Sequence, residues 1–200
     1  NASYGILIDA GVGVRAIRLF LRNMGLDFSN IWGLFITHDH ADHIKAAGVI
    51  GEKYHVPVYT TRQIHDGINR SYCVTQKLST SQRFININEV TEICDFRITA
   101  FPVSHDASEN VGYHIEYRGK NFTFATDLGH VGPEAAHHLI KSDYMVLEAN
   151  YDDEMLRMGT YPQYLKERIT SRTGHMSNIA TAEFLAENIT EDLKYIWLCH

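Results

Sequence analysis

The sequence predicts an α+β fold, a two-layer sheet core with helices outside, on three observations. Short apolar, β-rich runs alternate with stretches of helical period and one hairpin signal. Nearly every predicted strand ends on an acidic or imidazole residue: Asp9, the 38–43 cluster, His105, Asp127, Glu148 and His200. No internal repeat, low-complexity tract or linker rich in Pro, Gly or Ser divides the 200 residues, so residues 1–200 read as one domain.

The elements follow in chain order. Residues 4–9 read as a strand closed by Asp9-Ala10-Gly11. From Gly13, apolar Val14, Ile17, Leu21 and Met24 recur at helical spacing, and Gly25 is a natural stop. Residues 31–36 form an apolar strand that delivers His38-Asp39-His40-Ala41-Asp42-His43, and a helix is predicted from Ile44 to Tyr54. Pro57 opens a strand over 57–61, and Thr61 is placed to cap a helix from Arg62 to about Ile68. Residues 69–81 show no period and read as a loop. A strand over 96–103 delivers Ser104-His105-Asp106. Residues 112–117 and 121–126 flank Arg118-Gly119-Lys120 as a hairpin that ends on Asp127. A helix over 133–141, a strand over 144–148, helices over 152–158 and 162–171, a helix capped by Ser177 and running to Glu187, and a last strand over 195–199 complete the chain.

Composition narrows the function. At 44% apolar and 21% charged the chain reads as an ordinary soluble globular protein, and no apolar stretch approaches a membrane span. Cys73, Cys94 and Cys199 are odd in number and widely spaced, as in a reduced cytosolic protein, so a cytoplasmic location is expected. The net charge of −6 gives no global sign of nucleic-acid binding, but two stretches are locally basic. One holds Arg62, Arg70, Lys77 and Arg83; the other holds Arg157, Lys166, Arg168 and Arg172 and suits phosphate contacts.

The 38–43 cluster carries the chemistry. It sits where a strand hands its chain to a helix, the edge at which open α/β sheets build sites. Imidazoles two residues apart, followed by an adjacent Asp-His pair, offer four donors to two metal ions. That donor set suits zinc, manganese or iron. His55, His65, His114, His130, His137 and His138 lack ligand spacing, and at most one of the adjacent His137 and His138 can point inward on its helix.

The His-x-His-x-Asp-His signature, with Asp9 before it and His105, Asp127 and His200 after it, resembles the metallo-β-lactamase superfamily. The resemblance covers essentially the whole chain. It implies an αββα sandwich, two packed mixed sheets flanked by helices, with a dinuclear centre of two divalent ions. His38, His40 and His105 would hold one ion, Asp42, His43 and His200 the other, with Asp127 bridging and Asp9 bracing the histidine loop through hydrogen bonds. A closer resemblance is carried by residues 37–45, 102–106, 126–127, Glu148-Ala149-Asn150-Tyr151-Asp152, 155–157 and Gly174-His175-Met176-Ser177-Asn178. These are similar to the YycJ (WalJ) family of metal-dependent hydrolases, whose characterised members are implicated as DNA exonucleases, a DNA-repair type of activity. Tyr151 departs from that family, in which many members carry His. The same likeness predicts a further strand before Asn1 and a continuation after His200, so both ends look cut.

Gly174-His175-Met176-Ser177 also resembles the His-Ser-Thr element of tRNase Z, where that histidine is proposed to protonate the leaving oxygen. Glu148 would orient it, and Asp42 would help position the attacking hydroxide shared by the two ions. Arg157, Lys166, Arg168 and Asn150 are the predicted substrate contacts, with nucleic acid as the expected partner. The spacings from His105 to Asp127 and from Asp127 to His200 leave no room for the tRNase Z exosite arm or the β-CASP cap domain. Two rival readings stand beside a DNA phosphodiesterase. One is a thioesterase like glyoxalase II, or another small-molecule hydrolase, on the same ligand set. The other is a binding module without turnover, which would predict loss of a ligand.

Overall fold

A computed structural model of the chain describes residues 4–200. Asn1-Ala2-Ser3, which precede the first predicted strand, lie outside the described residues. By its internal contacts the chain divides into two compact units, residues 1–86 with 107–109, and residues 87–106 with 110–200.

The first unit is a four-stranded sheet, parallel throughout, in the order β1-β2-β3-β4. Its elements are β1 (Gly5–Ile8), α1 (Val14–Asn23), β2 (Ile31–Phe35), α2 (Ala41–Ile44), α3 (Ala47–Tyr54), β3 (Val58–Thr60), α4 (Arg62–Arg70) and β4 (Gln82–Phe84). Parallel strands need a crossover between them, and the helices supply it. Leu34, Phe35 and Ile36 are wholly buried with Ile44, Ile50, Val58, Ile64 and Ile68, which explains why β2 reads as a continuous apolar run. Thr61 caps α4 as predicted, accepting from Ile64 N at 3.4 Å.

Two expectations are corrected here. Of the stripe predicted on α1, Leu21 is buried and Val14 and Ile17 are half-buried, but Met24 is exposed because it lies past the helix end, at the C-cap. The single helix predicted from Ile44 to Tyr54 is broken at 45–46. Ala46 N donates to Ala10 O at 2.8 Å, and His43 O accepts from Ala10 N at 2.7 Å, so the exit of β1 takes hydrogen bonds that a continuous helix would keep. Helix α2 therefore begins inside the histidine cluster.

The second unit is a six-stranded mixed sheet in the order β10-β9-β8-β7-β6-β5. It comprises β5 (Val90–Ile93), β6 (Phe96–Pro102), β7 (Val111–Tyr117), β8 (Lys120–Ala125), α5 (Pro133–Leu139), β9 (Tyr144–Glu148), α6 (Asp153–Met158), α7 (Gln163–Ile169), α8 (Asn178–Asn188) and β10 (Tyr195–Cys199). Strands β5 to β8 form an antiparallel meander, whereas β8, β9 and β10 are parallel. The β7–β8 turn is carried by Arg118 and Gly119 at φ 48° and 72°, as a two-residue hairpin turn requires. Phe101, Ala125, Leu128, Ala135, Leu139, Met145, Leu147 and Met176 form its core.

Strand direction places the chemistry. Two antiparallel steps separate β6 from β8, so β6, β8, β9 and β10 all run the same way. Their carboxyl ends therefore share one edge, and those ends lead to His105, Asp127, Glu148 and His200. In the first unit the parallel strands β1 and β2 likewise end on Asp9 and the 38–43 cluster.

Candidate metal centre

In the first unit, Asp9 organises the histidine loop. It follows β1 in the left-handed region, at φ 58°, a conformation costly for a non-glycine residue and tolerated where the surroundings demand it. Its Oδ1 accepts from Thr37 N at 2.9 Å, and its Oδ2 accepts from Thr37 Oγ1 at 2.9 Å and from His43 Nδ1 at 2.8 Å. A carboxylate only accepts, so His43 carries its proton on Nδ1 and keeps a lone pair on Nε2. Thr37 gives its hydroxyl proton to Asp9 and thus faces His38 Nδ1, 3.0 Å away, as an acceptor. The same tautomer follows for His38. One half-buried acid in this way presents two imidazoles in the form that metals bind.

The rings of His40 and His43 lie 4.7 and 4.0 Å from that of His38. Asp42 is exposed, with Oδ2 3.7 Å from His43 Nε2. Asp39, the other acid of the motif, serves the scaffold: it accepts from Ser108 N at 3.2 Å and Ser108 Oγ at 2.5 Å. Gly11 lets the chain pass the cluster, because a Cβ there would lie 1.4 Å from Asp42 O.

In the second unit, imidazoles converge on Asp127. Its Oδ1 lies 3.2 Å from His200 Nε2 and 3.9 Å from His105 Nε2. His105 donates from Nδ1 to Gly174 O at 3.0 Å, and burial holds its pKa below the ordinary value, so it stays a neutral imidazole with Nε2 facing the acid. Asp127 and His200 adopt left-handed backbone at φ 54° and 62°, as Asp9 does. Asn110, which looks like a turn residue in sequence, is buried and donates from Nδ2 to Asp127 O at 2.8 Å, steadying that conformation. One ligand atom each from Asp127, Glu148, His175 and His200 lies within 4.8 Å of the others. Asp127 is buried while His200 is exposed, and their carboxylate oxygen and imidazole nitrogen are donors of the kinds that hold a divalent cation.

Glu148 is wholly buried at the end of β9 and takes four donors. Oε1 lies 2.6 Å from His175 Nδ1 and 3.1 Å from His200 Nδ1; Oε2 accepts from Leu128 N at 2.8 Å and Met176 N at 3.3 Å. Burial pushes its carboxyl up, but the hydrogen bonds from His175, His200 and Leu128 N outweigh it and hold the pKa below the ordinary value. The ionised acid fixes the Nδ1–H tautomer of His175 and leaves that ring's Nε2 for work elsewhere.

The predicted substrate contacts are placed differently from one another. Arg168 is held by Asp106, Nε to Oδ2 at 2.5 Å and Nη2 to Oδ1 at 3.1 Å, so it braces the residue after His105. Lys166 donates from Nζ to Arg157 O at 2.7 Å, and Arg157 is exposed with only a long contact of 3.7 Å to Glu154. The amide nitrogen of Asn150 lies 2.7 Å from His200 Nδ1 and donates to His200 O at 2.8 Å, which makes Asn150 a brace for that histidine. Arg172 of the second basic stretch has a partner that the sequence does not reveal: His130 Nδ1 donates to Arg172 O at 3.0 Å, and Arg172 Nη2 reaches back to His130 Nε2 at 3.3 Å. Ser104 Oγ donates to the same Arg172 carbonyl at 3.0 Å.

Three of the remaining histidines have partners within the scaffold. His65 is buried and reaches Arg83 O, His114 bonds Thr123, and His138 stacks on Phe101 while its neighbour His137 is exposed. No described helix is long and apolar enough to cross a membrane.

Comparison with known proteins gives the family. Residues 4–196 match the family model of the β-lactamase superfamily domain. The chain is 34% identical over 196 residues to "Exodeoxyribonuclease YycJ" of Bacillus anthracis, covering 98% of this chain and 73% of that protein. It is 31% identical over 195 residues to "Exodeoxyribonuclease WalJ" of Streptococcus pneumoniae, covering 98% and 72%. Among solved structures, the short form of human tRNase Z superposes with a TM-score of 0.71 at 18% identity, over 100% of this chain and 82% of that one, a likeness of fold. The chain has the metallo-β-lactamase fold and belongs to the β-lactamase superfamily of metal-dependent hydrolases, as an enzyme related to YycJ and WalJ.

Proposed function

We propose that the protein is a metal-dependent phosphodiesterase that releases nucleotides from DNA. The observation that carries the reading is the Glu148–His175 dyad at 2.6 Å beside Asp127 and His200, in a chain whose curated relatives are named exodeoxyribonucleases. His38, His40 and His105 would hold one divalent ion and Asp42, His43 and His200 the other, with Asp127 shared. Such ions, of zinc, manganese or iron type, supply an acidified water and neutralise charge on the phosphoryl group.

The chain's own residues do the rest. Glu148 holds His175 by Nδ1, so that the imidazolium can give its Nε2 proton to the departing oxygen and remain stabilised by the adjacent carboxylate. Asp42 orients the attacking water. Asp9, through Thr37 and His43, keeps the histidine loop in its ligand tautomers. Arg172, aimed by His130, joins Arg157 and Lys166 as the cations that hold flanking phosphates, while Arg168 acts through Asp106.

End-labelled duplex and single-stranded DNA, incubated with manganese or zinc, should be degraded, and chelation should stop it. Hydrolysis of S-lactoylglutathione with DNA left intact would instead establish a thioesterase of the glyoxalase II kind on the same donors. Metal analysis of His40→Ala and Asp127→Ala checks the ligand set: unchanged metal content in both would overturn it.

A further inference from the structure

Next to His200 the second unit opens into a cavity of about 540 Å³, within the range of small-molecule sites. It is lined by Asn150, Tyr151, Met155, Leu156, Tyr161 and Asn178 among others. Asn150 belongs to two places at once: it lines the cavity and its amide donates to the carbonyl of His200. The walls are pinned. Asn150 N donates to Met176 O at 2.9 Å and Asn178 N to Tyr151 O at 2.8 Å, joining the exit of β9 to the start of α8.

The lining selects a ligand class. No cationic side chain lines the cavity among the described residues, and Asp152, its one charged residue, caps α6 by accepting Met155 N at 2.8 Å. A phosphate would therefore find no counter-charge there. Two phenols, a thioether and an aliphatic side chain offer flat apolar surface, and two amides and Thr160 offer hydrogen-bond partners. A flat heteroaromatic ring with polar edges matches both. Burial raises the pKa of Tyr151, so it remains a neutral phenol able to pack against a ring. Tyr161 and Met155 are left 56% and 76% exposed at the mouth, a large apolar exposure for a loop and a short helix with no packing role.

We propose that this cavity receives the base of the terminal nucleotide, seated on Tyr151 and Tyr161, while Asn150 couples its occupancy to His200. The proposal rests on the nuclease reading above and adds the subsite that registers the chain end. A base held there places the terminal nucleotide beside a metal-ligand histidine, which is what release from an end requires.

The test uses oligonucleotides carrying 2-aminopurine at the last 5′ or the last 3′ position, with EDTA present so that nothing is cleaved. Binding is followed by anisotropy and stacking by 2-aminopurine fluorescence. For one of the two ends the fluorescence should fall on saturation. Tyr161→Phe should keep that quench, and Tyr161→Ala should lose it with Kd weaker by roughly fivefold to a hundredfold. In parallel, with metal present, an abasic terminal nucleotide should raise KM for the unmodified enzyme and have little further effect on Tyr161→Ala. No quench at either end on saturation, or quench unaltered in Tyr161→Ala, overturns the subsite, and degradation with metal present then leaves the nuclease reading standing. Neither binding nor degradation of any oligonucleotide overturns both.

Discussion

Replacing Glu148 by Gln tests the centre at its most connected atom pair. The native carboxylate takes His175 and His200 on Oε1 and two backbone N–H groups on Oε2, at 2.6, 3.1, 2.8 and 3.3 Å. A glutamine keeps one acceptor oxygen and sets an NH2 against the other two donors. If the NH2 faces Leu128 and Met176, two buried N–H groups lose their acceptor, at about 1–3 kcal/mol each. If it faces the imidazoles, both rings must turn their protons to Nε2, which for His200 is the nitrogen 3.2 Å from Asp127. Removal of a buried charge offsets part of the cost, leaving a net loss of about 2–4 kcal/mol. That corresponds to a melting point lower by about 4–16 °C for a chain of this size, read by circular dichroism with EDTA present. Chelator competition should show metal affinity weaker by about 10–100-fold, and turnover should fall by about 10²–10⁴ as His175 loses its orientation. A melting point within about 2 °C of the parent, with metal affinity unchanged, would refute the reasoning that Glu148 sets the tautomers of this site.

Other outcomes follow from the same structure. Gly11→Ala places a methyl 1.4 Å from Asp42 O, so the exit of β1 must part from the histidine loop; bound metal per chain should drop, and an undiminished count by elemental analysis would contradict that account. Burial lowers His138 from 6.5 to about 4, helped by the nearby His114, His137 and Lys141. The unfolded chain therefore takes up that proton first, so this residue's contribution to stability falls as pH drops from about 6.5 to 4 and levels off below. Urea unfolding of His138→Gln across that range should show a shallower pH slope than the parent. Arg172→Ala should raise KM for DNA and reduce the slope of log K against log salt by about 1, and an unaltered slope would remove Arg172 from the phosphate contacts.

Much of the site was legible in the chain because the chemistry advertises itself locally. A cluster such as 38–43, or a strand that stops on His105 or Asp127, needs no partner to be noticed. Amphipathic period and turn residues located β2, the β7–β8 hairpin and the caps at Thr61 and Ser177. The short polar strands β4 and β5 carried no such period and went unassigned, since their pairing with β3 and β6 comes from neighbours rather than from pattern. The break between α2 and α3 was equally hidden, because the group that causes it, the backbone of Ala10, lies more than thirty residues upstream.

The sequence by itself determined which donors the protein owns, the order in which strands deliver them and the superfamily they imply. Folding alone decided how each donor is held. Arg168 reads as a free cation until Asp106, 62 residues away, takes it; Asn150 reads as a substrate contact until it meets His200, and Asn110 as a turn until it meets Asp127. The left-handed turns at Asp9, Asp127 and His200 have no composition signal either. The reason is physical: residue type and spacing fix what a group can donate or accept, whereas the partner that sets its tautomer, charge and aim is supplied by chain remote in sequence and near only once the sheets have formed.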